Sequence, residues 1–125
     1  MGNQTILVVE DEILIRFMLI DVLRDAGYLV VEARDGDEGL AILLSGHAID
    51  LIVTDVRMPG VIDGMELAGR SKMLDPSRCV VVCSGHLQAD ETDPADAFMA
   101  KPYATAALLE IVERLMGKSV QQRTI

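Results

Sequence analysis

Short apolar runs and longer amphipathic stretches alternate along this chain. Thr5 to Val9 (TILVV) has the length and β-branched content of a strand buried on both faces, and it stops at Glu10, Asp11 and Glu12. Residues 13–25 instead place apolar side chains at helical spacing, with Arg16, Asp21, Arg24 and Asp25 toward the other side and Gly27 where a helix-ending glycine belongs. The alternation continues. It predicts a strand over 28–32, a turn at Asp35 and Gly36, a helix over 37–44, a strand over 49–54 that delivers Asp55, and a helix from about Gly64 to Leu74 closed by Asp75 and Pro76. A strand over 78–83 ends at Ser84 and Gly85, and a polar, Asp-rich segment follows over 86–93. A brief strand over 97–100 ends at Lys101 and Pro102, and 104–116 is an amphipathic helix with Glu110, Glu113 and Arg114 on its polar side.

Strands alternating with helices imply an α/β fold with parallel pairing, right-handed crossovers and helices on both faces of the sheet. In such a doubly wound sheet every strand's carboxyl end points the same way, so the residues at those ends converge. Here they are Glu10 and Asp11, then Asp55, then Ser84, then Lys101.

Composition narrows the field. A chain of 125 residues, 50% hydrophobic and without a Ser/Gly/Pro-rich break, fits one domain over 1–118 followed by a short tail over 119–125. A net charge of −9 argues against direct nucleic-acid binding, which needs clustered Lys and Arg. With seven Met, two Phe, two Tyr and no Trp, aliphatic residues must fill the core, and the Met are expected to serve as packing. Cys79 and Cys83 lie four apart, on one strand face roughly 13 Å from each other, too far to bond. Free thiols of this kind suit a reducing cytosol. The N-terminus carries no signal pattern and no apolar run reaches membrane-spanning length, so a cytoplasmic location with no membrane partner is expected.

The converging residues pose an electrostatic problem. Two carboxylates about 4 to 5 Å apart repel by a few kcal/mol at an effective dielectric near 20, and at least three gather here. Oxygen-only ligands favour a hard ion such as Mg²⁺, with Mn²⁺ as a substitute, and no His or Cys lies at these strand ends to suggest zinc. A carboxylate beside Mg²⁺, with a Lys ammonium and a Ser hydroxyl aimed at the same point, has the parts for phosphoryl transfer onto Asp55.

These residues resemble those of the receiver domains of two-component response regulators, over about residues 4 to 117. The acidic pair is Glu10 and Asp11 within VVEDE, the phosphoacceptor is Asp55 within TDVRMPG, the hydroxyl residue and small neighbour are Ser84 and Gly85, and the Lys-Pro is Lys101-Pro102, followed by Tyr103. The resemblance implies a flavodoxin-like five-stranded sheet in the order 2-1-3-4-5. It implies Mg²⁺ held by Asp11, Asp55 and the backbone carbonyl of Arg57, with Glu10 acting through water, and Lys101 bridging to the phosphoryl group. Ser84 and Phe98 would be the switch residues, the latter steric because it lacks a hydroxyl, and Arg57 and His86 would tune phosphoryl lifetime. The donor would be a histidine kinase or phosphotransfer protein, and catalysis would be limited to self-phosphorylation and self-dephosphorylation. The protein would be a monomer or a weak phosphorylation-dependent dimer.

Two departures from the family pattern stand out. The loop MPGVIDG is one residue longer than the commonest form, enlarging a bulge near the site. The interval from Ser84 to Lys101 is about five residues shorter than usual, so the helix between the fourth and fifth strands is expected to be short or irregular, which weakens output through that face. The first helix is apolar over too wide an arc to be buried entirely, and Leu14 and Met18, beside the acids, are the expected docking contacts for a partner helix.

Rival readings fail on particular residues. A haloacid-dehalogenase-type phosphatase wants a second Asp two positions after the first, where this chain has Arg57. A flavodoxin-type FMN carrier needs a Ser/Thr/Gly-rich loop after the first strand, where this chain has three acids that would repel phosphate. The remaining alternative is a receiver-fold interaction module or phosphate sink without an output domain of its own, since the tail is too short to be an effector.

Overall fold

The computed structural model describes residues 3–85 and 94–117. The segment expected to hold the short or irregular helix, His86 within it, and the tail over 119–125 lie outside the described residues. Thr5–Val9 forms β1, Leu29–Ala33 β2, Leu51–Asp55 β3, Cys79–Ser84 β4 and Ala97–Ala100 β5. Ile13–Asp25 forms α1, Gly36–Leu44 α2, Gly64–Leu74 α3 and Thr105–Met116 α4. All neighbouring strands pair in parallel, in the order β2-β1-β3-β4-β5, which is the expected doubly wound sheet.

Strand alternation divides the core into two layers. Ile6, Val8, Leu51, Val53, Val81 and Cys83 face one side, where Leu19 and Leu23 of α1 and Leu108 and Val112 of α4 cover them. Leu7, Val9, Ile52, Val80 and Val82 face the other, under Leu40 and Leu43 of α2 and Leu67 and Ala68 of α3. Because β1, β3 and β4 are buried on both faces, their sequences read as continuous apolar runs. Each fully buried aliphatic side chain contributes roughly 1.5–3 kcal/mol, so this sandwich fixes the register that carries the strand-end residues.

Four element ranges match the expectation residue for residue: 5–9, 13–25, 64–74 and 97–100. The other strands begin later than the apolar pattern suggests, because buried residues at their starts spend their hydrogen bonds elsewhere. The Tyr28 amide donates to Leu23 O, completing the end of α1, so β2 begins at Leu29. Ile49 is buried, but its carbonyl accepts from Arg78 Nε at 3.0 Å. Arg78 is itself buried, reaching Ser71 Oγ at 3.0 Å, and its amide closes a turn onto Asp75 O. Burial alone therefore misplaced the starts of β3 and β4. α2 begins at Gly36 because Asp35, expected only as a turn residue, caps it by accepting from the Glu38 amide at 2.8 Å.

Most of the methionines pack, as expected, though chiefly at the margins of the core. Among those described, Met99 alone is buried, Met58, Met65 and Met116 pack at the margins, and Met18 and Met73 are exposed. The β-branched strands already fill the centre, which leaves flexible side chains the periphery. Cys79 and Cys83 do share the α1/α4 face and are free. No described helix is long and apolar enough to cross a membrane.

The connection from β3 to α3 is tight. The Gly64 amide donates to Val56 O at 2.9 Å, Asp63 caps α3 by accepting from the Glu66 amide at 2.8 Å, and a Cβ on Gly64 would collide with the Asp55 carbonyl oxygen. Gly64→Ala is expected to destabilise the fold by about 1–3 kcal/mol, as overpacking against an immovable backbone does. Urea unfolding of the two proteins measures it, and equal midpoints would show that the loop can yield.

Candidate functional site

The carboxyl ends of β1 and β3 lie side by side, because Val9 pairs with Thr54 in the ladder. Glu10 leaves β1 with its amide bonded to Ala33 O at 3.1 Å, and its own carbonyl accepts from Arg16 Nη1 at 2.9 Å. Arg16 Nε in turn pairs with Glu32 Oε1 at 2.9 Å, so the acidic turn is tied to both α1 and β2. The Glu10 side chain is only 3% exposed, and Oε2 accepts from the Glu12 amide at 3.1 Å. Asp11 faces solvent. Asp55 ends β3, with Oδ1 accepting from the Val56 amide at 3.0 Å and its carbonyl oxygen accepting from the Thr54 hydroxyl at 2.9 Å.

Glu10, Asp11 and Asp55 each offer an oxygen, and these oxygens all lie within 4.8 Å of one another. Lys101 reaches the same point from beyond β5, with Nζ 3.2 Å from Asp55 Oδ1 and 3.9 Å from Glu10 Oε1. Ser84 ends β4, buried, and its carbonyl accepts from the Lys101 amide at 3.0 Å. Glu10, Asp11, Asp55 and Lys101 therefore come together at the strand ends, and Ser84 joins them through its main chain.

Burial pushes the Glu10 carboxyl up to about 7, with the charge of Asp55 adding to it and the Glu12 amide and Lys101 opposing. Burial also acts to lower the Lys101 ammonium, but its hydrogen bond to Asp55 and the charges of Asp55 and Glu10 outweigh that, so it is held above the ordinary lysine value. Next to Asp55 in the ladder, the Cys83 thiol is pushed up to about 12 by burial, against a hydrogen bond with Tyr103, which makes it a packing group and not a nucleophile. One ammonium facing three carboxylates leaves excess negative charge. A purely oxygen donor set at this spacing fits a small hard divalent cation.

The outlying expectations fall differently. Phe98 is half-buried, three residues before Lys101, and packs on the α2/α3 layer. Arg57 is exposed on the loop after β3. Leu14 is 79% exposed and Met18 45%, and Ile13 and Phe17 join them in an apolar patch on α1 beside the acids, so α1 is indeed wider than the sheet can cover. Sequence reasoning missed Arg16, assigned to the polar side of α1 but in fact half-buried as the brace of the Glu10 carbonyl. A helical arginine one turn past an acidic pair carries no signal of its own. Its role depends on β2 bringing Glu32 alongside.

Residues 6–113 match the family described as the response regulator receiver domain. The transcriptional regulatory protein PdtaR of Mycobacterium tuberculosis is 36% identical over 121 residues, which cover 90% of this chain and 57% of that protein. A response regulator receiver protein of Sinorhizobium medicae superposes with a TM-score of 0.86 at 33% identity, covering 94% of this chain and 97% of that one. The response regulator TrrA of Thermotoga maritima, solved in complex with Mg²⁺ and BeF, superposes with a TM-score of 0.78 at 32% identity, covering 90% of this chain and 98% of that one.

The raised Glu10 acid has a consequence for the metal-free protein. Its folded value of about 7 lies above the ordinary 4.5, so the folded state holds this proton more tightly than the unfolded chain does. The stability that results is complete below pH 4.5 and is lost as pH rises through 7. With a chelator present, Glu10→Gln should therefore gain stability relative to wild type between pH 5 and 8, read from urea midpoints across that range. A difference that does not change with pH would contradict the assignment.

Proposed function

The chain belongs to the response regulator receiver family, and on that premise we propose that it accepts a phosphoryl group on Asp55 from a phosphohistidine-bearing kinase or phosphotransfer protein. The observation that carries this reading is Lys101 Nζ lying 3.2 Å from Asp55 Oδ1 and 3.9 Å from Glu10 Oε1, beside a cluster of three carboxylates whose oxygens lie within 4.8 Å of one another. One oxygen of Asp55 attacks phosphorus in line. The new P–O bond forms as the P–N bond to the donor imidazole breaks, and the bonding pair leaves with the imidazole.

Glu10, Asp11, Asp55 and the Arg57 carbonyl are the residues that would hold Mg²⁺, or Mn²⁺ in its place. When bound, the ion neutralises charge on the phosphoryl oxygens. The Mg²⁺ and BeF found with TrrA support that choice of ion. Lys101, kept charged by Asp55, neutralises an equatorial oxygen, and its departure from Asp55 Oδ1 frees that oxygen for attack. Ser84 donates its hydroxyl to the phosphoryl group after transfer, and Phe98 responds by moving against the α2/α3 layer. Arg57 and His86 set how quickly water reaches the acyl phosphate.

Leu14 and Met18, with Ile13 and Phe17, form the surface on which a partner's helix docks and brings its phosphohistidine to the acids. Chemistry is confined to self-phosphorylation and self-dephosphorylation. A phosphate sink or relay step fits the same site.

Incubation with acetyl phosphate and Mg²⁺ should add the mass of one phosphoryl group to the wild type and none to Asp55→Asn. Lys101→Ala should slow the addition by about 10² or more, in line with loss of a charge that stabilises the transition state. Intact-mass time courses read all three, and modification of Asp55→Asn to the wild-type extent would overturn the assignment of the acceptor. Met18→Glu should leave acetyl phosphate labelling unchanged while slowing transfer from a phosphorylated partner by roughly tenfold, since it buries a charge in an apolar contact. Equal partner transfer rates would remove α1 from the docking surface.

A further inference from the structure

The loop over 56–63, which includes the residue by which this chain exceeds the commonest family length, is held from the side by the first turn of α2. Asp37 Oδ1 accepts from the Ile62 amide at 3.0 Å, and Oδ2 accepts from the Val61 amide at 3.5 Å. Two glycines make the approach possible. Gly60 has φ 106°, and a Cβ there would lie 3.1 Å from Asp37 Oδ2. Gly36 lies so close that a Cβ would collide with the Ile62 carbonyl oxygen. The consequence is visible in the two side chains the loop presents: Ile62 is buried under α2, and Val61 is 86% exposed.

This contact closes a circuit around the acceptor. The two ends of the loop are joined by the Gly64 amide on Val56 O and by Gly64 against the Asp55 carbonyl, and its second half is held by Asp37. Arg57 lies between those two anchorages. Without the second, the longer loop would have more conformations open to it and the Arg57 carbonyl would be less often in place. A carboxylate accepting from backbone amides forms charge-assisted bonds, stronger than neutral ones, which suits Asp37 to this task even where water has access.

We propose that Asp37 is a positioning residue for the acceptor site, holding the Val61 and Ile62 amides so that the loop presents the Arg57 carbonyl to the divalent ion. The proposal rests on the reading of Asp55 and its neighbours as a metal-assisted phosphoacceptor. It acts through the loop, and Asp37 itself touches neither ion nor phosphoryl group.

The test compares wild type, Asp37→Ala, Asp37→Asn and Asp55→Asn by calorimetric titration with Mg²⁺, and by amide hydrogen exchange of the metal-free proteins. Asp37→Ala should speed exchange at Ile62 and weaken Mg²⁺ binding roughly tenfold, the lower end of what loss of a supporting partner costs a metal site. Asp37→Asn keeps an oxygen that accepts from the Ile62 amide but has no charge, and it should recover most of that loss. Unchanged Mg²⁺ affinity in Asp37→Ala would overturn the proposal. So would an equal loss in the Ala and Asn variants, which would assign the effect to long-range charge. Loss of binding in Asp55→Asn with full binding in wild type upholds the underlying site whatever Asp37 does, whereas a wild type that binds no Mg²⁺ overturns both.

Discussion

Like charges forced together at the end of a parallel sheet are the constraint on which this molecule turns. β1 and β3 are neighbours, so the acids that end them share one small volume, and their oxygens lie within 4.8 Å of one another. Glu10 is buried there, and burial first, with the charge of Asp55 adding to it, pushes its carboxyl up to about 7. A fold that tolerates such crowding must hold it in place by packing elsewhere. Here the two apolar layers supply that force, and Lys101 supplies part of the compensating charge. The remaining excess is what makes the site receptive to a divalent cation and then to a phosphoryl group.

Backbone contacts transmit this constraint outward. Arg16 braces the Glu10 carbonyl and ties it to Glu32 on the edge strand, and Gly64 seats α3 against the Asp55 carbonyl. Asp37 joins α2 to the loop after the acceptor strand. Three of the four described helices thus reach the acidic residues or the loop that follows them by way of main-chain groups. The apolar face of α1 lies next to this centre.

Much of this was legible in the residues themselves. Continuous β-branched runs broken by acids gave the central strands, since burial on both faces leaves no polar position to confuse the period. The five strand-end residues were legible because a parallel sheet sends all its carboxyl ends one way. Legibility failed where a buried residue spends its hydrogen bonds outside the ladder, as Tyr28, Ile49 and Arg78 do. That most methionines pack was legible, but not that they do so at the margins, because apolarity says nothing about which side chain reaches the centre first.

By itself, then, the sequence determined the class of fold, the convergence of Glu10, Asp11, Asp55 and Lys101, the placing of Ser84 at the end of β4, and the excess of apolar surface on α1. These follow from periodicity and strand direction, which are local properties of the chain. Only the tertiary structure decided that Arg16 supports the acidic turn, that Asp37 grips the Val61 and Ile62 amides, and that Lys101 lies nearer Asp55 than Glu10. Two of these join residues far apart in sequence, and two act through main-chain atoms that every residue possesses, so no pattern of side chains could announce them.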